Sequence, residues 1–328
     1  MQPSGEAHLG NYLGALQQWV QLQESYECYF CIVDEHAITG EFTPAELPDR
    51  VFDLAVSFLA VGLDPERSTI FVQSDVPEHV RLAWIFNAVT PVGDLERMTQ
   101  YKDKSSRRES VPAGLLNYPI LQAADILLYR AQKVPVGEDQ VQHLELAREI
   151  ARRWNARFGT LFPEPQAILS QAGRIVGLDG AGKMSKSMGN TVGILDEPEE
   201  IWARVRTAVT DPQRIRKNDP GRPEVCNVFS LHQHFTPAER IPDIEGQCRA
   251  GTRGCVECKQ ILAENIAEHF AGTRERAREL KAHPDRVREI LDAGAARARR
   301  EAAQTLDEVR ERMGMVWRGR LQPTGRPG

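Results

Sequence analysis

Two short stretches about 175 residues apart carry the residue types that phosphate chemistry needs. The first, "HLGN" at residues 8–11, sets His8 and Asn11 at the head of an amphipathic run. A helix opening there presents free backbone N–H groups and its positive dipole end to an anion. His8 and Asn11 add side-chain donors, although a histidine at a helix start also serves simply as a cap. The second, "GLDGAGKMSKSMGN" at 177–190, places Lys183 and Lys186 among serines in a glycine-rich loop. Its glycines permit movement and its ammoniums neutralise phosphate charge, as a closing arm requires. Alone, such a loop is a solvated surface segment; the two stretches in this order point to a nucleotide.

Two other constellations could carry chemistry. In "NYPILQAADILLYRA" (117–131), helical spacing puts Tyr118, Gln122, Asp125 and Tyr129 on one stripe and Ile120, Ala124 and Leu127 on another. Two aromatics with a single charge suit a small-molecule pocket better than bulk water. Cys226, Cys248, Cys255 and Cys258 are spaced C-x21-C-x6-C-x2-C in a polar, glycine-containing region. Four thiolates there could hold Zn²⁺ or an iron–sulfur cluster, and spacing alone does not choose. Cys255 and Cys258 fit one turn at a helix start, where the dipole favours thiolate. Cys28 and Cys31, three apart in a strand-like run, face opposite sides and read as core thiols.

These groups need a scaffold. "CYFCIVD" (28–34), "TIFVQSD" (69–75) and "KVPVG" (133–137) read as buried strands, each followed by helical spacing, the pattern of βαβ units around a parallel sheet. A helix ends at Gly62, and another from Asp139 buries Val141, Leu144, Ala147, Ala151, Trp154 and Phe158. After about Gly180 strand-like runs largely disappear and a helical domain begins. Pro284 opens a last long helix with an apolar stripe from Val287 to Met313, in which Gly294 is a weak point. The expected organisation is a Rossmann-type catalytic domain over 1–180, a lysine loop and helical domain over 181–283, the long helix over 284–314 and a mobile tail over 315–328.

Charge and composition narrow the classes. The 328 residues carry a net charge of −5, but from Lys259 onward 15 Lys and Arg face 11 Asp and Glu, leaving about −9 for the rest. Basic residues gathered at one end suit a polyanion such as RNA. Neither an apolar run of membrane-spanning length nor a secretion signal is present, so the expected setting is cytoplasmic, with no membrane and no DNA partner. Six cysteines in that setting argue for metal ligation or buried thiols over disulfides.

At this point the residues resemble a family. "HLGN" is similar to the HIGH signature and "KMSKS" to the second signature of class I aminoacyl-tRNA synthetases. "QPSGEAHLGNYLGAL" and "VPVGEDQVQHLELAREIARRWN" resemble the tryptophanyl branch, and the likeness covers nearly the whole chain. It implies ATP-dependent activation of L-tryptophan, transfer to tRNA(Trp), Mg²⁺ with the nucleotide, and a homodimer. By resemblance Gln2, Pro3, Ser4, Gly10 and Asn11 touch ATP, and Gly137, Glu138 and Asp139 meet the nucleoside. Ile175, Met184, Ser185 and Ser187 line the nucleotide with Lys183 and Lys186, which meet the pyrophosphate; His8 and Lys104 assist. Asp125 accepts the indole N–H, Tyr118 and Gln140 hold the ammonium, and Gln122 lies against the ring. The four later cysteines resemble a bacterial subset that holds a [4Fe–4S] cluster, with Zn²⁺ as the alternative.

Members of this family carry a short strand and turn ahead of Pro3, where Met1 stands here, which keeps a truncated, non-catalytic RNA-binding or metal-sensing derivative in view. The tyrosyl enzymes share the fold and are the nearest rival. A nucleotidyltransferase without tRNA fits the first motif but not the helical second half.

Overall fold

The computed structural model describes residues 1–106, 109–170, 173 and 175–315. The side chains of Lys104 and Ser187 lie outside what is described, as does the tail from residue 316. The chain opens with α1 (Leu9–Asn11), a π-helical turn (Tyr12–Leu16) and α2 (Gln17–Leu22), then β1 (Cys28–Ile32), α3 (Asp34–Ala37) and α4 (Leu47–Ala60). Next come β2 (Ser68–Val72), α5 (Glu78–Asn87), α6 (Val92–Glu96), α7 (Thr99–Ser105) and α8 (Ala113–Leu127). β3 (Lys133–Val136), α9 (Val141–Phe158) and β4 (Gln166–Leu169) complete the α/β half.

β1 and β2 pair in parallel with Phe30 opposite Ile70, and β3 and β4 pair in parallel with Pro135 opposite Ile168. Alternation along the strands sorts the core. Phe30, Ile32, Ile70 and Val72 enter one apolar cluster, whereas Phe71, with Tyr29 and Cys31 packed beside it, enters the other. Cys28 and Cys31 thus do face opposite sides. The first two strands stop short of the runs read from sequence because the chain turns into α3 and into a 3-10 turn, Gln73–Asp75. Among the described residues the parallel sheet is two pairs of strands. Met1 lies beside β1, its ammonium donating to the Cys31 carbonyl at 2.6 Å and its carbonyl accepting from Val33 N at 3.0 Å.

After β4 the described residues form no further strand. They form α10 (Pro198–Val205), α11 (Asn227–Phe235), α12 (Ile241–Arg249), α13 (Cys255–His269), α14 (Ala271–Ala282) and α15 (Pro284–Arg312). α15 is unbroken at Gly294, and the reason is steric. A Cβ there would stand 1.8 Å from the Ile70 carbonyl oxygen, so the glycine lets helix backbone lie directly on β2. Val287 and Leu291 of α15 enter the first apolar cluster and Ala295, Ala298, Ala302, Leu306 and Val309 the second, which ties this helix to both faces of the sheet.

Candidate active site

The two lysine- and histidine-bearing stretches meet. Leu9 N donates to Val192 O at 2.9 Å and Ile194 N to Ala7 O at 3.0 Å, an antiparallel bridge centred on His8 and Gly193. The lysine loop is itself braced by Asn190, which is buried. Its side-chain oxygen accepts from Ser185 N at 2.8 Å and its amide donates to Asp179 at 3.0 Å. Gly177 makes room for this brace, since a Cβ there would lie 2.1 Å from the Asn190 amide nitrogen. Met184 is buried and lies against Gly10, while Lys183 stays exposed.

The helix start is occupied differently from what its sequence promised. His8 Nδ1 accepts from Gly10 N at 3.1 Å and Asn11 N at 3.3 Å, and Asn11 Oδ1 accepts from His8 N at 3.1 Å, a reciprocal cap. Backbone donors expected for an anion are therefore already engaged. Because Nδ1 accepts, the ring proton sits on Nε2. Burial, then the charges of Lys186 and Lys183, lower the His8 pKa to about 4, so the ring is neutral near pH 7. Positive charge at this end comes from the lysines. Lys186 Nζ donates to Ser4 O at 2.9 Å, and burial lowers its pKa while Glu6 and Asp53 oppose that shift.

The stripe on α8 lines a second, adjoining site. Asp125 accepts from His79 Nδ1 at 2.6 Å and Gln73 Nε2 at 2.8 Å on Oδ1, and from His36 Nε2 at 2.8 Å on Oδ2. Burial alone would raise its pKa; hydrogen bonds and charge from His36 and His79 outweigh burial and hold the carboxyl well below the usual carboxylate range. Tyr118 Oη lies 2.8 Å from His143 Nε2 and donates to Gln100 at 3.2 Å. Gln122 donates to Gln140 at 3.5 Å, and Gln140 to Asp139 at 3.1 Å, so the Glu138–Gln140 turn abuts α8. Gly137 allows this turn to tighten, as a Cβ there would meet Asp139 at 2.8 Å.

Sequence reasoning missed His36, Gln73 and His79. Each comes from a different segment, and no spacing rule joins them. Only the carboxylate they surround gives them a common purpose. A larger cleft of about 660 Å³ is lined in part by Glu35, Glu41 and Glu109.

The four later cysteines come together around a cavity of about 20 Å³, shared with Arg214 and Arg253. Cys255 and Cys258 occupy the first turn of α13, as expected, and Cys248 stands near the end of α12. Gly221 cradles Cys248, since a Cβ there would lie 2.5 Å from its Sγ, and Arg214 donates to that sulfur at 3.7 Å. At Cys258 the thiolate expected from the helix dipole is not favoured. Burial, with Cys226 and Cys248 adding to it, pushes Cys258 up to about 12. As the side chains stand, no three such groups among the described residues form a metal-holding set. The donor set and the glycine cradle fit a soft cation. The cavity admits about one water-sized sphere, so the sulfurs would have to rearrange around either a single ion or a cluster.

With that geometry in hand, the family described as class I tRNA synthetases (W and Y) matches residues 1–271. The chain is 52% identical to the tryptophan–tRNA ligase of Deinococcus radiodurans over 96% of its own length and 97% of that protein. It is 43% identical to the tryptophan–tRNA ligase of Thermotoga maritima over 97% and 98% of the two chains. Among solved structures it is similar to the Campylobacter jejuni tryptophanyl-tRNA synthetase complexed with ADP and tryptophan. There the TM-score is 0.87 at 37% identity, covering 96% and 98% of the two chains.

Proposed function

The chain belongs to the class I tRNA synthetases of the tryptophanyl and tyrosyl family, and we propose that its described sites serve the two half-reactions of tryptophan–tRNA ligation. In the first, a carboxylate oxygen of L-tryptophan attacks the α-phosphorus of MgATP, forming tryptophanyl-adenylate and releasing pyrophosphate. In the second, a terminal ribose hydroxyl of tRNA(Trp) attacks the acyl carbon, loses its proton and expels AMP. Neither step needs a protein nucleophile; both need alignment and charge compensation.

The reading rests above all on the meeting of the N-terminal segment with the lysine loop, through the His8–Gly193 bridge just after that loop and the Lys186–Ser4 hydrogen bond. In it Gln2, Pro3, Ser4, Gly10 and Asn11 border ATP, Gly137, Glu138 and Asp139 its nucleoside, and Ile175, Met184, Ser185 and Ser187 the adjoining wall. Lys186 leaves the Ser4 carbonyl for the departing pyrophosphate, joined by Lys183 and Lys104, and His8 offers its Nε2–H. Asp125 accepts the indole N–H, Gln122 lies against the ring, and Tyr118 and Gln140 hold the ammonium. Residues 1–180, with the lysine loop at the start of 181–283, carry this chemistry in a cytoplasmic setting, and the helical part of 181–283 with the 284–314 helix approaches the tRNA. Amino-acid-dependent ATP–pyrophosphate exchange tests the assignment: exchange with tryptophan alone is expected, and exchange with tyrosine would overturn it.

Two further assignments belong to this reading. Trp84, 75% exposed, and Val80, 47% exposed, stand one helical turn apart on α5, with Val92 exposed nearby. They form an apolar face suited to a second copy of the chain. Sedimentation velocity should give a dimer that Trp84→Glu converts to monomer; a monomeric wild type would remove the dimer. Cys226, Cys248, Cys255 and Cys258 would hold a [4Fe–4S] cluster or Zn²⁺, which cross-links a segment poor in apolar bulk. Anaerobic purification with iron, sulfide and zinc analysis distinguishes them, and a metal-free, stable protein would exclude both.

A further inference from the structure

We infer that His79 is a positioning residue for the amino-acid pocket: with Gln73 it fills one carboxylate oxygen of Asp125, leaving Oδ2 as the oxygen offered to the substrate's ring N–H. The inference rests on the reading of Asp125 as the indole acceptor. A carboxylate oxygen has two lone-pair sites. Oδ1 uses both, for His79 Nδ1 at 2.6 Å and Gln73 Nε2 at 2.8 Å, whereas among the described residues Oδ2 receives only His36 Nε2 at 2.8 Å. One acceptor direction on Oδ2 therefore remains open, and the Asp125 side chain keeps 14% of its surface exposed.

His79 itself has no exposed surface, so it cannot touch the substrate and acts through Asp125. Its ring is held from behind. Nδ1 donates to the carboxylate and Nε2 shares a hydrogen bond of 2.8 Å with the Tyr129 hydroxyl, so both ring nitrogens are pinned. The hydroxyl is placed in turn by packing: the Tyr129 ring stacks on Tyr29 at 4.5 Å and meets Phe71 edge-on at 5.8 Å. Gln73 is also fully buried, and its Oε1 has no hydrogen-bond partner among the described residues. Turning that amide over would set an oxygen against the carboxylate, so the orientation of Gln73 is dictated by Asp125 even with Oε1 left unpaired. The arrangement is a relay, Tyr129 to His79 to Asp125, which fixes the direction in which the carboxylate accepts.

Pyrophosphate-exchange kinetics on the full-length chain test this with His79→Leu, His79→Asn and Tyr129→Phe. His79→Leu should raise KM for tryptophan about tenfold or more, the size expected for a hydrogen bond to a charged group. Its KM for ATP and its kcat should stay within about twofold. His79→Asn carries an amide N–H near the position of Nδ1 and should recover most of the loss; Tyr129→Phe should show a smaller loss of the same kind. Preference for tryptophan over 3-benzothienylalanine, which has sulfur in place of the ring N–H, should shrink in His79→Leu, a change that general loosening of the fold would not produce. An unchanged tryptophan KM and preference in His79→Leu, or an Asn variant no better than Leu, overturns the inference. If Asp125→Asn also leaves tryptophan KM unchanged, the reading of Asp125 fails; if Asp125→Asn raises it while His79→Leu does not, only the relay fails. Should His79→Leu not fold, the Tyr129→Phe and His79→Asn measurements carry the same decision.

Discussion

The carboxylate pocket on α8 and the lysine loop that follows residue 176 differ in how much of their bonding is already made. Asp125 has three donors from three separate segments, and His79 and Gln73 behind it are fully buried. Among the described residues the Lys186 ammonium makes one hydrogen bond, to the carbonyl of Ser4, and Lys183 is exposed. A group that recognises a ligand must hold its direction before the ligand arrives. A group that meets charge appearing only during reaction gains by being free to move, because energy spent on the ground state does not lower the barrier. On the function proposed above, the contrast separates recognition from rate.

The sharpest way to break this separation is Lys186→Ala. Loss of a cation that meets developing pyrophosphate charge should lower the activation rate by about 10²–10³, in line with removal of a single transition-state donor. Tryptophan affinity should hardly change. Stopped-flow or burst measurement of adenylate formation checks this, and an unchanged rate would make the loop a bystander.

Asp125→Asn probes the other side. An amide can turn its N–H toward the indole, so a charge-assisted hydrogen bond of about 1.5–3 kcal/mol is lost, or roughly 10–100-fold in tryptophan binding. ATP binding should stay near wild type. Equal losses for both ligands would mean the two regions are not separable, and calorimetric titration of each ligand decides.

How much of this was legible in the sequence follows the same division. The lysine loop, "HLGN" and the α8 stripe are contiguous, so residue type and spacing exposed them, and β1, β2, β3, α9 and α15 followed from apolar periodicity. β4 was hidden because its apolar run, Ala167 to Leu169, is only three residues long between polar neighbours, too short to mark a strand. His36, Gln73 and His79 were hidden for a different reason. They are polar residues at the ends of strands and helices, ordinary in any local window, and become a set only when the fold wraps them around Asp125. Gly294 read as a flaw in α15, yet its missing Cβ is what brings that helix onto the Ile70 backbone. Local spacing does not record a contact between residues so far apart in the chain.

The smallest expected effect concerns His8, which sits between the two regions. Its Nδ1 accepts two backbone N–H groups, and burial, then Lys186 and Lys183, lower its pKa from 6.5 to about 4. Between those values the unfolded chain binds a proton that the folded chain refuses, so this residue's contribution to stability rises with pH across the window. It is complete above about pH 6.5 and is lost as pH falls toward 4. His8→Asn keeps a side-chain oxygen that can cap the same N–H groups but removes the titration. Urea-unfolding midpoints measured from about pH 4.5 to 7 should therefore climb less steeply in the variant than in wild type. Above about pH 6.5 the activation rate of the wild type should show no step assignable to this imidazole, because the ring is already neutral there. Parallel slopes for the two proteins would mean that His8 titrates in the fold as it does in the unfolded chain, and a rate step removed by His8→Asn near neutral pH would make it a proton-carrying group of the moving region.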